Sequence, residues 1–287
     1  MVKIYTESAG VAGLPRSLDG VPVVIQVTGK LYALHHRSWH GGGGGGDGGG
    51  GGGGCNTTTD RWRPACIGIS TGHPSITAGT IGARVVDGAG NVYALSNNHV
   101  YADENRAAIY NNVLQPGPFD GGTDPADAIG TLVDFEPLKF DGSDNTIDAA
   151  IALSSTTNLN NATPPDGYGV PKSTTVAATI NQRVKKYGRT TGQTKARVSG
   201  IHATVDVCYE PIGPFCSPFA IARFVNQIII SPGGFSAGGD SGSLIVVDKG
   251  ADARKPVGLL FAGSSSVTIA NPIDLVLNRF GVSIDGE

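Results

Sequence analysis

After residue 62 this chain breaks into short apolar runs rich in valine, isoleucine and threonine, each closed by glycine, proline, asparagine or aspartate. Such runs make strands, because branched side chains fit a pleated surface and turn residues end it. Ranges 80–86 and 92–96 flank Asp87-Gly88-Ala89-Gly90-Asn91, a hairpin signal wider than a two-residue turn. Further strands are expected at 128–135, 146–154, 173–180, 196–207, 223–231, 243–247, 257–262 and 267–270. Helical spacing occurs only near the end, at 272–279, with Ile273, Val276, Leu277 and Phe280 on one face. Many short strands and one late helix predict an all-β chain built as a barrel or a sandwich.

The organisation before residue 63 differs. Residues 1–40 hold one clear strand pattern, Val21-Pro22-Val23-Val24-Ile25-Gln26-Val27. Residues 41–54 are all glycine except Asp47. Glycine loses the most conformational entropy on ordering, so this run reads as a flexible tether; the alternatives are self-packing polyglycine or an exposed processing site. The expected division is an N-terminal segment at 1–40, a glycine-rich linker at 41–62 and one main domain at 63–287. Self-association through the N-terminal segment or the glycine run is the homo-oligomer this arrangement allows.

Charge excludes some function classes. A net charge of -3, with charged residues at 16%, offers no electrostatic footprint for nucleic acid or an anionic membrane. No stretch reaches the roughly 18 to 20 apolar residues that span a bilayer. The first residues lack a basic segment followed by an apolar core, so no signal peptide is expected and the chain reads as soluble. Cys208 and Cys216 flank a turn-rich segment that could close a short disulfide loop, and Cys55 and Cys66 could pair likewise. Four cysteines allow three connectivities, and the pairing stays open. Neither pair has CxxC spacing and no histidine stands at a zinc-like interval, so no metal and no cofactor are expected.

Three segments concentrate the chemistry. Gly238-Gly239-Asp240-Ser241-Gly242-Ser243 precedes an apolar strand. Glycines beside a nucleophilic serine let a carbonyl approach and let the backbone aim N–H groups at one point, here those of Gly239 and Ser241. By spacing alone the same residues also make an ordinary turn. Leu95-Ser96-Asn97-Asn98-His99-Val100 ends a strand with a histidine that a rigid scaffold can aim into a cleft. Asn145-Thr146-Ile147-Asp148-Ala149-Ala150-Ile151-Ala152-Leu153 sets a carboxylate at the head of an apolar strand, where burial demands a donor such as an imidazole N–H. Asp144 competes with Asp148 but sits in the polar loop.

Together these segments resemble the chymotrypsin-fold serine peptidases. The chain order His, Asp, Ser is that family's order, and each motif matches in context. Tyr187-Gly188-Arg189-Thr190-Thr191-Gly192 is similar to the Gly-Arg-Thr-Thr-Gly strand of bacterial alpha-lytic protease and the streptogrisins, and plant narrow-leaf trypsin-like proteins are a second comparison. The resemblance covers roughly 67–284 and leaves 1–62 outside. It implies two six-stranded antiparallel β-barrels, about 67–165 and 170–284, with a C-terminal helix. It also implies catalytic residues His99, Asp148 and Ser241, an oxyanion hole at the Gly239 and Ser241 amides, and peptide or protein substrates. The specificity pocket would be walled by Phe235, Ser236, Ala237, Gly238, Phe261, Ala262 and Gly263. Phe235 stands where trypsin-like enzymes carry an acid, so a small or medium apolar residue is expected before the scissile bond. No Ile-Val-Gly-Gly-like segment exists to form a buried new N-terminus, so Asp240 needs another partner. The competing classes are a catalytically weak binding module and a self-assembling structural protein on the same barrels.

Overall fold

The computed structural model describes residues 1–34, 55–213 and 215–287. The tether reading of residues 41–54 lies outside them. The chain opens with β1 (Val2–Thr6), β2 (Ser17–Leu18), β3 (Val21–Val27) and β4 (Tyr32–Ala33). There follow β5 (Ser70–Thr71), β6 (Gly79–Thr80), β7 (Ala83–Asp87), β8 (Val92–Ser96), helix α1 (Asn98–Tyr101), β9 (Asn112–Leu114), β10 (Ala128–Phe135), β11 (Asp144–Asn145) and β12 (Ala150–Leu153). The second half holds β13 (Arg183–Gly188), β14 (Gly192–Cys208), β15 (Pro211–Ile212), β16 (Phe215–Cys216), β17 (Ile221–Ser231), β18 (Leu244–Val247), β19 (Pro256–Gly263) and β20 (Thr268–Pro272). Helix α2 (Ile273–Phe280) and β21 (Val282–Ile284) complete it.

The strands form two large sheets, as an all-β reading requires. The first runs β21-β7-β8-β12-β10-β9. The second contains β17-β20-β19-β18-β13-β14, and pairing of β14 back onto β17 closes these six into a barrel. Closure leaves these strands no raw edge to pair with another chain. The β7–β8 hairpin forms where the sequence places it. Asp87 accepts from the N–H groups of Ala89 and Asn91, both at 2.9 Å, and Gly90 takes the φ of 84° that the turn needs.

Two predicted strands are corrected. Residues 173–180 form no strand, although five of the eight are the β-branched Thr174, Thr175, Val176, Thr179 and Ile180. Val176 gives its N–H to Pro256 at 3.0 Å and lays its side chain, like that of Ala178, on the second barrel's core, but no ladder forms. Propensity without a partner strand leaves only an extended loop. The strand expected from 146 begins at Ala150 instead, so Asp148 lies in the approach to β12.

The two halves are interlocked. α2 contributes Ile273, Val276 and Leu277 to the core built on Ala83, Leu95 and Ile151 of the first sheet. β21 then pairs antiparallel with β7, Ile284 opposite Val85. The N-terminal region adds more than the single strand expected. β1 and β3 pair in parallel, and β4 enters the second sheet beside both β14 and β19. Disulfides join Cys55 to Cys66 and Cys208 to Cys216, the two pairings that the spacings suggested.

Candidate active site

The turn before β18 carries Ser241. Gly239 and Gly242 both adopt φ of 94°, a region that side-chain-bearing residues avoid, so the motif's glycines are a backbone requirement. A Cβ on Gly242 would stand 2.2 Å from Ser96 Oγ and 2.3 Å from the Thr80 carbonyl. The turn thus lies hard against the strand that ends three residues before His99. Thr80 N–H donates to the Ser241 carbonyl at 2.8 Å, and Ser241 Oγ donates to the Phe261 carbonyl at 3.2 Å.

Asp240 finds its partner inside the protein. Its carboxylate accepts from the N–H groups of Thr190, Thr191 and Ala237 at 2.8, 3.2 and 3.0 Å, and from Thr191 Oγ1 at 2.7 Å. Lys186 Nζ, equally buried, completes the set at 3.2 Å. Burial lowers the Lys186 pKa, and the Asp240 charge opposes that shift. The Gly-Arg-Thr-Thr-Gly hairpin is therefore the cradle of the Ser241 turn. Arg189 in the same hairpin reaches across to the first half, pairing bidentately with Asp120, with Nε to Oδ2 at 2.8 Å.

His99 lies on α1 and Asp148 just before β12. His99 Nδ1 and Asp148 Oδ2 are 2.5 Å apart, and the His99 N–H donates to Asp148 Oδ1 at 3.3 Å. Tyr209 Oη gives a further hydrogen bond to Oδ2 at 2.7 Å. Burial, and then the neighbouring Asp148 charge, raise the Tyr209 pKa well above the ordinary phenol range, which keeps this donor protonated. The Asp148 backbone has left the ladder and is held by two amides. Its N–H donates to Asn271 Oδ1 at 3.1 Å, and its carbonyl accepts from Asn97 Nδ2 at 2.7 Å. Asp144 is exposed on β11 and remote in role, its carbonyl receiving Lys139 Nζ at 3.3 Å. Geometry thus brings the imidazole to Asp148.

The residues expected to wall a pocket occupy the loop between β17 and β18 and the end of β19. Phe235 is buried among Val198, Ile228 and Ile230, with its carbonyl held by Thr194 Oγ1 at 2.6 Å. Ser236 Oγ meets Thr268 Oγ1 at 2.6 Å, Ala237 serves Asp240, and the Gly238 carbonyl accepts from Thr190 Oγ1 at 2.6 Å. The Phe261 ring turns into the barrel against Phe224, centroids 4.6 Å apart, so its carbonyl is what the cleft sees. Ala262 and Gly263 pair with Ala33 and Tyr32 of β4. Sequence reasoning missed Tyr209, Asn271, Lys186 and the whole of β4, none of which carries a local motif; it quoted Asn97 within the histidine segment but gave it no role.

Compared with solved structures, the chain is similar to Thermobifida fusca Protease A, with a TM-score of 0.54 at 16% identity over 78% of this chain and 100% of that one. The fold is that of the bacterial chymotrypsin-like serine proteases. The same fold is seen in a Nocardiopsis protease, at a TM-score of 0.53 and 16% identity over 77% of this chain and 99% of that one. Cellulomonas bogoriensis chymotrypsin matches at 0.51 and 15%, over 77% and 98% of the two chains. No protein-family model and no curated protein matches the sequence. Among the described residues of this chymotrypsin-like fold, no helix is long and apolar enough to cross a membrane. No group of three or more His, Cys, Asp or Glu among them is placed to hold a metal ion.

Proposed function

We propose that this chain is a serine endopeptidase that cleaves through an acyl-enzyme and favours a small or medium apolar residue before the scissile bond. The observation that carries this reading is the fully buried His99–Asp148 contact at 2.5 Å, with the Ser241 turn packed against Thr80 and against Ser96, three residues before that histidine. Asp148 fixes the imidazole so that its far nitrogen takes the Ser241 proton, and stabilises the imidazolium that results. The Gly239 and Ser241 amides receive the oxyanion, where each such donor is worth roughly a hundred- to a thousandfold in turnover. Phe235 in place of an acid favours apolar side chains. The shared fold supports the reaction class, and the site residues supply the roles.

The Leu34 carbonyl accepts from the Gly239 N–H at 2.7 Å, so the test uses the Ala33→Asp/Leu34→Asp chain beside the unaltered one. A fluorophosphonate probe labels Ser241 of that variant, Ser241→Ala in the same background abolishes labelling, and peptides with Leu or Met before the cut are cleaved best. Absence of Ser241-dependent labelling removes the peptidase reading, and a preference for Arg or Lys removes its specificity.

A further inference from the structure

The cleft is already filled from within the chain. The Leu34 N–H donates to the Phe261 carbonyl at 3.2 Å, and the Leu34 carbonyl accepts from the Gly239 N–H at 2.7 Å. Ser241 Oγ is anchored on that same Phe261 carbonyl at 3.2 Å, so Leu34 and the nucleophile share one acceptor. Upstream, Ala33 pairs with Ala262 and Tyr32 with Gly263 in antiparallel register. The Leu31 carbonyl accepts from the Cys208 N–H at 2.9 Å on the other flank.

Side chains follow the same logic. Leu34 packs against the cluster containing Phe235, and its Cδ1 would lie 3.5 Å from a Cβ on Gly263. Leu31 and Ala33 are buried with Tyr209, Phe224 and Phe261. A strand added antiparallel to a free edge gains affinity from its backbone and specificity from side-chain pockets. Here that strand also places one carbonyl on a candidate oxyanion donor and the adjoining side chain in the apolar pocket. A loop merely crossing the cleft needs none of these three alignments. His99 and Ser241 are both 0% exposed.

We infer that the chain is its own first substrate: Ser241 cleaves the bond joining Leu34 to residue 35 in cis, and residues 31–34 exclude other peptides while they stay. This rests on the peptidase reading above. Ser241 Oγ bonds to the Leu34 carbonyl carbon as its proton passes to His99. The carbon–nitrogen bond to His35 then breaks, and His99 delivers that proton to the departing amine. One water hydrolyses the ester, leaving a Leu34 carboxylate and restoring Ser241. No cysteine lies in residues 1–34, so the cut leaves that segment held only by noncovalent contacts. These include the β4 ladders and Lys3 Nζ on the Ser199 carbonyl at 2.9 Å. The product therefore remains as a bound inhibitor until it dissociates.

Intact mass under denaturing conditions and N-terminal sequencing of the full chain test this. The expected result is fragments 1–34 and 35–287, the second beginning at His35. Ser241→Ala slows the cut by at least about a thousandfold. Leu34→Asp, which buries a carboxylate in an apolar pocket, slows it by about a hundredfold, while the volume-conserving Leu34→Met stays within about tenfold. The rate constant is independent of protein concentration. A chain that stays intact, or is cut at another bond, while the Ala33→Asp/Leu34→Asp variant labels at Ser241 overturns this inference and leaves the peptidase reading standing. A chain that neither cuts nor labels in any variant removes both.

Discussion

Two carboxylates, Asp240 and Asp148, are wholly buried, and they are held in opposite ways. Asp240 is surrounded by a buried ammonium and by hydroxyl and amide donors: Lys186, Thr190, Thr191 and Ala237. Asp148 faces a titratable ring, with Tyr209 as its second side-chain donor. A carboxylate ringed by an ammonium, hydroxyl and amide donors in a dry interior fixes a conformation. One paired with an imidazole leaves a proton that can be moved. On the peptidase reading, equal burial supports two different tasks, scaffolding and chemistry, and the partner decides which.

The largest test of that contrast is Asp148→Asn. It should lower turnover by about ten-thousandfold while far-UV circular dichroism and melting stay close to the parent's, since geometry survives and the histidine tautomer does not. Asp240→Ala should do the reverse first, costing about 3–5 kcal/mol of stability in denaturant titration because it strands the Lys186 ammonium. Equal stability losses in the two variants would break the distinction. Tyr209→Phe should sharpen it: removing a hydrogen bond to a charged group costs about 1.5–3 kcal/mol, read mainly as slower turnover. A Tyr209→Phe chain with unchanged kinetics would return that phenol to a packing role.

The smallest effect is expected at the β7–β8 turn. Hydrogen bonds from Asn91, led by its side chain, lower the Asp87 pKa to about 2. A depressed carboxylate stabilises the fold above its unfolded pKa, near 3.9, and that contribution disappears as pH falls through about 2. The melting difference between the parent and Asp87→Asn should therefore be constant above about pH 4 and shrink below it. A difference that persists unchanged at pH 2 would mean that the turn owes nothing to the charge.

Legibility in the sequence followed locality. The Ser241 turn, the His99 segment and the Asp148 segment are short motifs, and each marks its own backbone. The choice between Asp148 and Asp144 needed burial, which an apolar flank suggests and only packing decides. Lys186 was illegible because a lysine in Val-Lys-Lys-Tyr reads as a solvated strand residue; the cradle that buries it comes from residues 190–191 and 237–240. β4 was illegible for another reason. Leu31-Tyr32-Ala33-Leu34 shows no alternation, and the strands it joins lie more than a hundred residues downstream. Residues 173–180 failed in the opposite sense, having β chemistry with no strand alongside.

The pairing of β21 with β7 has a consequence for the order of events during synthesis. Residues near the chain's end supply an edge strand to the sheet from which His99 emerges, and α2 seals the core beneath it. A nascent chain that has released only its first half therefore presents β7 as a bare edge and an unsealed core. The imidazole–carboxylate pair and the serine turn are consequently completed together, only after β21 and α2 have been synthesised.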